Sequence, residues 1–248
     1  MNKNFKIVVE YDGTHFFGWQ RQKDEKTVQG EIEKVLSRIL NQDIRITGSG
    51  RTDSGVHAFG QVANFHADTQ IDPIVLKKAV NSMIRQHPIV IKECSVVGDD
   101  FHAQYATISK EYHYFILNRE DPPAIGRMFQ WHILQPLDIE LMNQCCKAIT
   151  GVFDFRSFEN TGSPRSTTVR EVLFSEVCQL DEGRLVFIIK ASGFLKYMVR
   201  NLIGTIVLAG HNKITGQEFK DILEAKDRKK AGPTAPPHGL FLKQVNYF

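Results

Sequence analysis

The chain has 248 residues, of which 42% are hydrophobic and 24% are charged, and its formal net charge is +3. This composition excludes a disordered or fibrous protein, and the length allows one large folded domain or two ordinary ones. The small positive charge permits an anionic partner without requiring one, so any argument for nucleic-acid binding depends on where the basic residues lie.

The first half of the chain predicts the element order β-α-β-β-α-β. A helix is expected after Thr27, which can cap it, and a second helix after Asp72, where Pro73 occupies the first turn. Alternating or β-branched patterns predict the strands, at residues 5–11, 43–48, 60–66 and 89–97. This order is the split-βαβ, or ferredoxin-like, plan.

The second half repeats this plan with additional elements. The pattern predicts strands at 105–117, 168–179, 184–191 and 240–247, a turn at 181–183, and helices at 138–149, 194–210 and 215–225. We therefore predict an α+β fold of two ferredoxin-like (split βαβ) subdomains, residues 1–104 and 105–248. Their strands should form a mostly antiparallel sheet with helices on one face and a central active-site cleft.

Three connecting segments lack periodicity. Residues 119–136 and 151–167 are expected to be long loops of the kind that carries binding sites. Residues 226–239 contain three prolines and the basic run Arg228–Lys230, and they predict a stiff surface segment that contacts an anion or is simply solvated.

Cysteine usage and apolar segments bear on the cellular location. The four cysteines include an adjacent pair at 145 and 146 but no C-x-x-C spacing, which argues against a disulfide framework and a thiolate zinc site. No apolar run has the length of a membrane span, and no signal-type segment precedes the first strand. We expect a cytoplasmic protein with reduced thiols and no membrane partner.

The segment GRTDSGVHA at residues 50–58 is the strongest candidate for chemistry. It places Arg51, Asp53 and His57 between glycines, which allow sharp turns that aim side chains rather than pack them. An aspartate held ionised beside an arginine suits a carboxylate nucleophile or base. The alternative is a polar turn in which Asp53 caps the backbone.

Two other segments place basic and aromatic side chains together. Lys196 and Arg200 are four residues apart beside an apolar helical stripe, so an acceptor such as the Asp53 carboxylate or a phosphate is expected near them. Tyr112 and Tyr114 share one face of a strand, where a ring can hold an unstacked base. The alternatives are lysine-like side chains that extend to solvent and tyrosines that pack in the core.

Taken together, these motifs resemble the tRNA pseudouridine synthase A (TruA) family. The resemblance extends in order across nearly the whole chain, through YDG at 11–13, FGWQRQ at 17–22, GRTDxGVHA at 50–58, FHA at 101–103, KxYxY at 110–114, FxxxMVRN at 194–201 with Gly204, and GLFL at 239–242.

The resemblance implies an isomerase that converts uridine to pseudouridine at positions 38–40 of the tRNA anticodon stem-loop. It makes Asp53 the catalytic nucleophile, Arg200 its salt-bridge partner and Tyr112 the ring stacked on the target uracil. Arg51 would help to occupy the space of the flipped nucleotide. The family works as a homodimer without cofactor or metal. Charge placement adds candidate phosphate contacts: Arg21, Lys23, Arg165, Arg170, Lys196 and Arg228–Lys230.

The same residues leave two rival functions open. A metal-dependent hydrolase would use Asp53 with His57, His66 and His102, although the sequence has no H-E-x-x-H or comparable motif, and His57 instead suits an anchor for the loop backbone. An RNA-binding module without catalysis is the second rival, because split-βαβ folds often bind RNA.

Overall fold

The computed structural model describes residues 2–160, 162, 166–181 and 183–247. It divides into two compact units, Met1–Ile108 with Phe241–Phe248, and Ser109–Leu240. The sequence predicted a second subdomain that continued to residue 248. The structure differs: Phe241–Phe248 group with the first unit, in which Phe241 and Leu242 pair with His57 and Ala58.

The first unit contains a sheet in the order β4-β1-β3, with two further strands along the free side of β3. Both β1 and β2 run antiparallel to β3, whereas β10 runs parallel to it through Phe241 and His57. The strands are β1 (Asn2–Tyr11), β2 (Thr47–Gly48), β3 (His57–Asp68), β4 (Ile89–Val97) and β10 (Leu240–Asn246).

Two capped helices cover the core of this unit. α1 (Val28–Leu40) begins after Thr27, whose side chain accepts a hydrogen bond from the backbone of Gly30, and α2 (Pro73–Ile84) begins after Asp72. Both caps were predicted and are confirmed. The core includes fully buried Phe5, Val9, Ile32, Leu36, Phe65 and Leu76.

The predicted strand at 43–48 is much shorter in the structure. The N–H of Ile46 donates to Glu33 Oε1 at 3.0 Å, and the carbonyl of Ile46 accepts from Gln29 Nε2 at 3.0 Å. The N–H of Ile44 donates to Ser37 Oγ. Side chains of α1 thus occupy the backbone groups that a strand ladder requires. Only Thr47–Gly48 remains paired as β2.

The second unit contains a sheet in the order β5-β9-β8-β7, with antiparallel neighbours and a short parallel strand, β6, beside β5. The strands are β5 (Ser109–Asn118), β6 (Trp131–Ile133), β7 (Gly151–Asp154), β8 (Val169–Asp181) and β9 (Arg184–Ala191). The helices are α3 (Ile139–Ile149), α4 (Met198–Gly210) and α5 (Gly216–Ala225).

Several predicted boundaries in this unit are wrong for local reasons. β5 begins at Ser109 rather than 105 because residues 102–106 form a turn in which Ala106 N–H donates to the carbonyl of His102. α4 begins at Met198 rather than 194, because Tyr197 adopts a left-handed backbone with φ of 63°. β6 and β7 lie in segments predicted as loops.

The predicted fold class is confirmed: the chain is α+β, with mostly antiparallel strands. Among the described residues, no helix combines the length and the apolar character needed to cross a membrane.

Candidate active site

The loop that carries Asp53 is held at its preceding residue, Thr52. The Thr52 hydroxyl lies 2.8 Å from the Tyr11 hydroxyl, and its carbonyl accepts from the N–H of Trp19 at 3.2 Å. Gly18 permits this close approach: its φ is +87°, and a Cβ there would lie 2.6 Å from the Thr52 carbonyl oxygen. Thr52 is therefore fixed from two separate segments of the first unit.

The backbone after Asp53 forms a tight turn. Val56 N–H donates to the Asp53 carbonyl at 3.2 Å, and the Ser54 hydroxyl donates to the Phe16 carbonyl at 3.1 Å. Gly55 has a φ of +77°, which an L side chain rarely adopts. Asp53 itself is half-buried, and Arg51 is exposed. The loop thus presents Asp53 on a constrained backbone.

His57 anchors the loop from the start of β3. Its ring is fully buried and stacks on Phe241 at 4.5 Å. The N–H of Gly13 points at His57 Nδ1 at 3.0 Å, and Asp12 Oδ1 lies 3.1 Å from the same nitrogen. Because a backbone amide only donates, Nδ1 accepts from Gly13 when it carries no proton. His57 therefore has the backbone-anchoring contacts that the sequence suggested.

The histidines of the rival metal site have other surroundings. His66 is exposed on β3, and His102 Nδ1 accepts from the N–H groups of Gln104 and Tyr105. Within residues 2–160, 162, 166–181 and 183–247, no group of three or more His, Cys, Asp or Glu side chains could hold a metal ion.

Tyr112 lies in the second unit on β5 and is 8% exposed. Phe194 meets its ring edge-on, at 5.1 Å and 86°. Tyr114, two residues along the same face, is fully buried and donates to the Pro236 carbonyl at 2.8 Å. Lys110 precedes them on this face, and burial lowers its pKa to about 8.

Arg200 and Lys196 both lie near the ring of Tyr197. Arg200 Cζ is 4.8 Å from the ring centroid and Lys196 Nζ is 5.8 Å from it. The sequence predicted the two cations four apart on one helix, but Lys196 precedes α4 and its carbonyl accepts from Asn160 N–H. Sequence reasoning also missed Tyr197, although an aromatic between two cations was a visible signal.

The charge of Arg200 acts on two neighbours in its unit, buried Tyr114 and half-buried His238. Burial raises the pKa of Tyr114, and the positive charge of Arg200 partly offsets this rise. Burial lowers the pKa of His238, and Arg200 lowers that pKa further. His238 was not among the predicted site residues.

The predicted phosphate contacts differ in their surroundings. Arg21 is exposed and its Nε lies 3.5 Å from Glu33 Oε2, while Arg170 donates to the Thr167 and Val169 carbonyls. Arg165 lies outside the described residues. Among the described residues, the exposed members of the set are Arg21, Lys23, Lys196, Lys229 and Lys230.

Arg228 departs from the prediction of a free surface cation. Its guanidinium is half-buried and donates to five protein oxygens, and this burial lowers its pKa. It is therefore not available for a phosphate contact.

The predicted site residues fall into two groups. Arg21, Arg51 and Asp53 belong to the first unit, whereas Tyr112, Lys196 and Arg200 belong to the second. Within the second unit, Lys196 and Arg200 meet at the Tyr197 ring, and Tyr112 packs against Phe194. The pairing of Asp53 with Arg200 stays a prediction.

The two units are α+β, and the first presents an aspartate on a constrained loop, which is an arrangement typical of an enzyme. The chain matches the sequence profile of the tRNA pseudouridine synthase family over residues 7–106 and 145–248. It therefore belongs to that family. The predicted enzyme class, an isomerase acting on tRNA, is confirmed by this membership.

Three similar proteins match this chain over nearly its whole length. The chain is 40% identical over 245 residues to tRNA pseudouridine synthase A 2 of Clostridium perfringens and 42% identical over 245 residues to tRNA pseudouridine synthase A of Thermoanaerobacter sp.. It is 41% identical over 251 residues to tRNA pseudouridine synthase A 1 of Desulfotalea psychrophila. Each match covers 99% of this chain and 100% of the relative.

Proposed function

We propose that the protein isomerises uridine to pseudouridine at positions 38–40 of the tRNA anticodon stem-loop, with Asp53 as the nucleophile. The observation that carries this proposal is the fixation of the Asp53 loop by Tyr11, Trp19 and His57. A nucleophile gains most when its backbone is held before substrate binds, because orientation then costs nothing during the reaction.

The reaction matches the types of residue at the site. The bond between uracil N1 and the sugar carbon C1′ breaks, the uracil rotates, and a bond forms between C5 and the same C1′. C5 loses its proton and N1 takes up a proton, so the product has the same formula as uridine and no electron is gained or lost. The proposal therefore requires no redox cofactor, and none of its steps uses a metal. Asp53 acts as an ionised carboxylate, and we propose that the guanidinium of Arg200 keeps it ionised and oriented.

Reaching the target base requires that it leave the stem. Unstacking and unpairing cost a few kcal/mol, and stacking on one aromatic ring returns about 1–3 kcal/mol. We propose that Tyr112 provides this ring, and that Arg51 helps to occupy the space left by the flipped nucleotide. Exposed Lys196 and Arg21 would contact phosphates and supply the remaining, salt-dependent affinity.

The proposal includes a homodimer that works in the cytoplasm. Both statements are supported by the resemblance to the TruA family, and the second also by the predicted reduced thiols. Sedimentation equilibrium at micromolar concentration should give twice the 28.3 kDa mass of one chain. A single-chain mass under those conditions would refute the dimer.

Tritium release tests the central claim. Anticodon stem-loops with [5-³H]uridine at 38, 39 or 40 alone should each release label, and a stem-loop with labelled uridine only at other positions should release none. EDTA should leave the rate unchanged. No release from the first three substrates would refute the assignment.

A variant pair separates catalysis from binding. Asp53→Asn should abolish release while the Kd for tRNA stays within about threefold, because only the nucleophile is lost. Asp99→Asn, the same change at an exposed aspartate, should retain the full rate. An Asp53→Asn protein that keeps its activity would favour a role for this residue in structure alone.

A further inference from the structure

The side chain of Arg200 is oriented by a segment that lies 35 residues further along the chain. Arg200 Nε donates to the carbonyl of Ala235 at 2.8 Å, and the Ala235 N–H donates to the carbonyl of Arg200 at 3.1 Å. Ala235 is 1% exposed. Because the guanidinium is planar, a bond at Nε sets the orientation of the whole group. The position of Ala235 therefore restricts where the guanidinium points.

The segment before Ala235 lies directly on α4. A Cβ on Gly204 would lie 1.8 Å from the Pro233 carbonyl oxygen, so a side chain at 204 would push the segment away. The N–H of Gly232 donates to Thr205 Oγ1 at 2.9 Å. Residues 231–235, the α4 clamp, thus have little freedom to shift along the helix.

Arg228 holds the α4 clamp from its other side. Nη1 donates to the carbonyls of Gly232 at 2.9 Å and Ala231 at 3.3 Å, while Nη2 donates to Thr234 Oγ1 at 3.1 Å. The remaining donors reach Asn201 Oδ1 at 3.0 Å and Asn160 Oδ1 at 3.3 Å. These five contacts use all five N–H groups of a guanidinium.

Asn201 connects this network to the first turn of α4. It is fully buried, its Oδ1 also accepts from Thr234 Oγ1 at 2.6 Å, and its Nδ2 donates to the Phe158 carbonyl at 2.9 Å. Arg228 and Asn201 therefore fix the α4 clamp relative to the helix turn that carries Arg200. An ammonium at position 228 offers three donors from one point and cannot reach acceptors on both sides.

The chemistry of the acceptors argues for a role in positioning. All five are uncharged oxygens, from two backbone carbonyls, two asparagine side chains and one threonine. Neutral acceptors compensate the lost hydration of a cation less well than a carboxylate does. We therefore expect the five hydrogen bonds of Arg228 to fix the position of residues 231–235 more than they raise the free energy of unfolding.

We propose that Arg228 is a positioning residue, which fixes residues 231–235 so that the Ala235 carbonyl holds the Arg200 guanidinium in its reactive orientation. This inference rests on the role of Arg200 under the proposed function.

Single-turnover kinetics with saturating enzyme provide the test. In Arg228→Lys, the rate of tritium release should fall about 10- to 100-fold, because a displacement of about 1 Å has effects of that size. The Kd for tRNA should change less than about threefold. Arg184→Lys is the matched control, since Arg184 is exposed at the turn between β8 and β9 and pairs with Asp181. It should retain the wild-type rate.

A double-mutant cycle separates positioning from a general loss of structure. If Arg228 acts through Arg200, Arg228→Lys should have little further effect on the rate in an Arg200→Lys background. Independent losses that multiply would overturn the inference, as would a wild-type rate for Arg228→Lys. A wild-type rate for Arg200→Lys alone would instead refute the proposed role of Arg200, and the inference with it.

A milder variant covers the case in which Arg228→Lys does not fold. Thr234→Val removes one acceptor of Arg228 and the donor to Asn201 while keeping the shape of the side chain. Its single-turnover rate should fall by a smaller factor, with unchanged tRNA affinity, and the fall should disappear in the Arg200→Lys background. An unchanged rate in Thr234→Val, with Arg228→Lys unfolded, would overturn the inference.

Discussion

Replacing Lys110 by methionine should change how the stability of the protein depends on pH. Lys110 lies on β5, two residues before Tyr112, and burial lowers its pKa from 10.5 to about 8. Between these two values the unfolded chain keeps the proton and the folded chain loses it. The free energy of unfolding therefore rises with pH across this range, because the unfolded state binds more protons.

The size of the effect follows from the shift. A shift of about 2.5 pKa units at about 1.36 kcal/mol each corresponds to about 3 kcal/mol. This destabilisation is fully present below pH 8 and is lifted as the pH rises towards 10.5. Methionine has a similar length but no titrating proton. The free energy of unfolding of the wild type, minus that of Lys110→Met, should thus increase by about 3 kcal/mol between pH 7 and 10.5.

Urea unfolding at pH 7, 8, 9 and 10 measures this difference. Burial raises the pKa of all four thiols, those of Cys94, Cys145, Cys146 and Cys178, and their titration changes the stability with the opposite sign. They are common to both proteins and cancel in the difference. Lys213→Met removes an exposed amine from the same unit and controls for the loss of one charge. A difference that stays within about 0.5 kcal/mol from pH 7 to 10 would refute the reasoning.

Two substitutions test the support of the Asp53 loop. Gly18→Ala forces an alanine to a φ of +87° and places its methyl 2.6 Å from the Thr52 carbonyl oxygen. The strain is about 1–3 kcal/mol. We expect a lower single-turnover rate, with the affinity for tRNA nearly unchanged. An unchanged rate would show that the loop tolerates displacement. Tyr11→Phe removes the 2.8 Å contact with the buried Thr52 hydroxyl. The free energy of unfolding in urea should fall by about 1–3 kcal/mol, and no change would mean that Thr52 finds another partner.

Local signals in the sequence were reliable where a few neighbouring residues decide the outcome. The caps at Thr27 and Asp72 were predicted because a side-chain oxygen satisfies the first free N–H groups of a helix, whatever the rest of the fold does. The strand at 89–97 was predicted with its bounds for the same reason, since β-branched residues favour extended backbone locally. The GRTDSGVHA segment likewise identified the loop that Tyr11 and His57 hold.

Predictions were wrong where side chains far away in the sequence form hydrogen bonds with the backbone or with a charged side chain. The pattern at residues 43–48 predicted a strand, but Gln29 and Glu33 on α1 form hydrogen bonds with the backbone carbonyl and N–H of Ile46. The basic run predicted Arg228 to be a surface cation, but the distant side chains of Asn160 and Asn201 supply two of its five acceptors. In both cases, residues outside the sequence window take part in deciding the local structure.

The sequence by itself determined the family, the α+β class and the candidate nucleophile, because each depends on residue types and on spacings along the chain. Only the tertiary structure decided that β10 belongs to the first unit and that Arg200 donates a hydrogen bond to the Ala235 carbonyl. Those outcomes depend on hydrogen bonds between residues far apart in sequence, such as Arg200 with Ala235. A pattern of neighbours carries no information about such pairs, since the fold alone brings them within bonding distance.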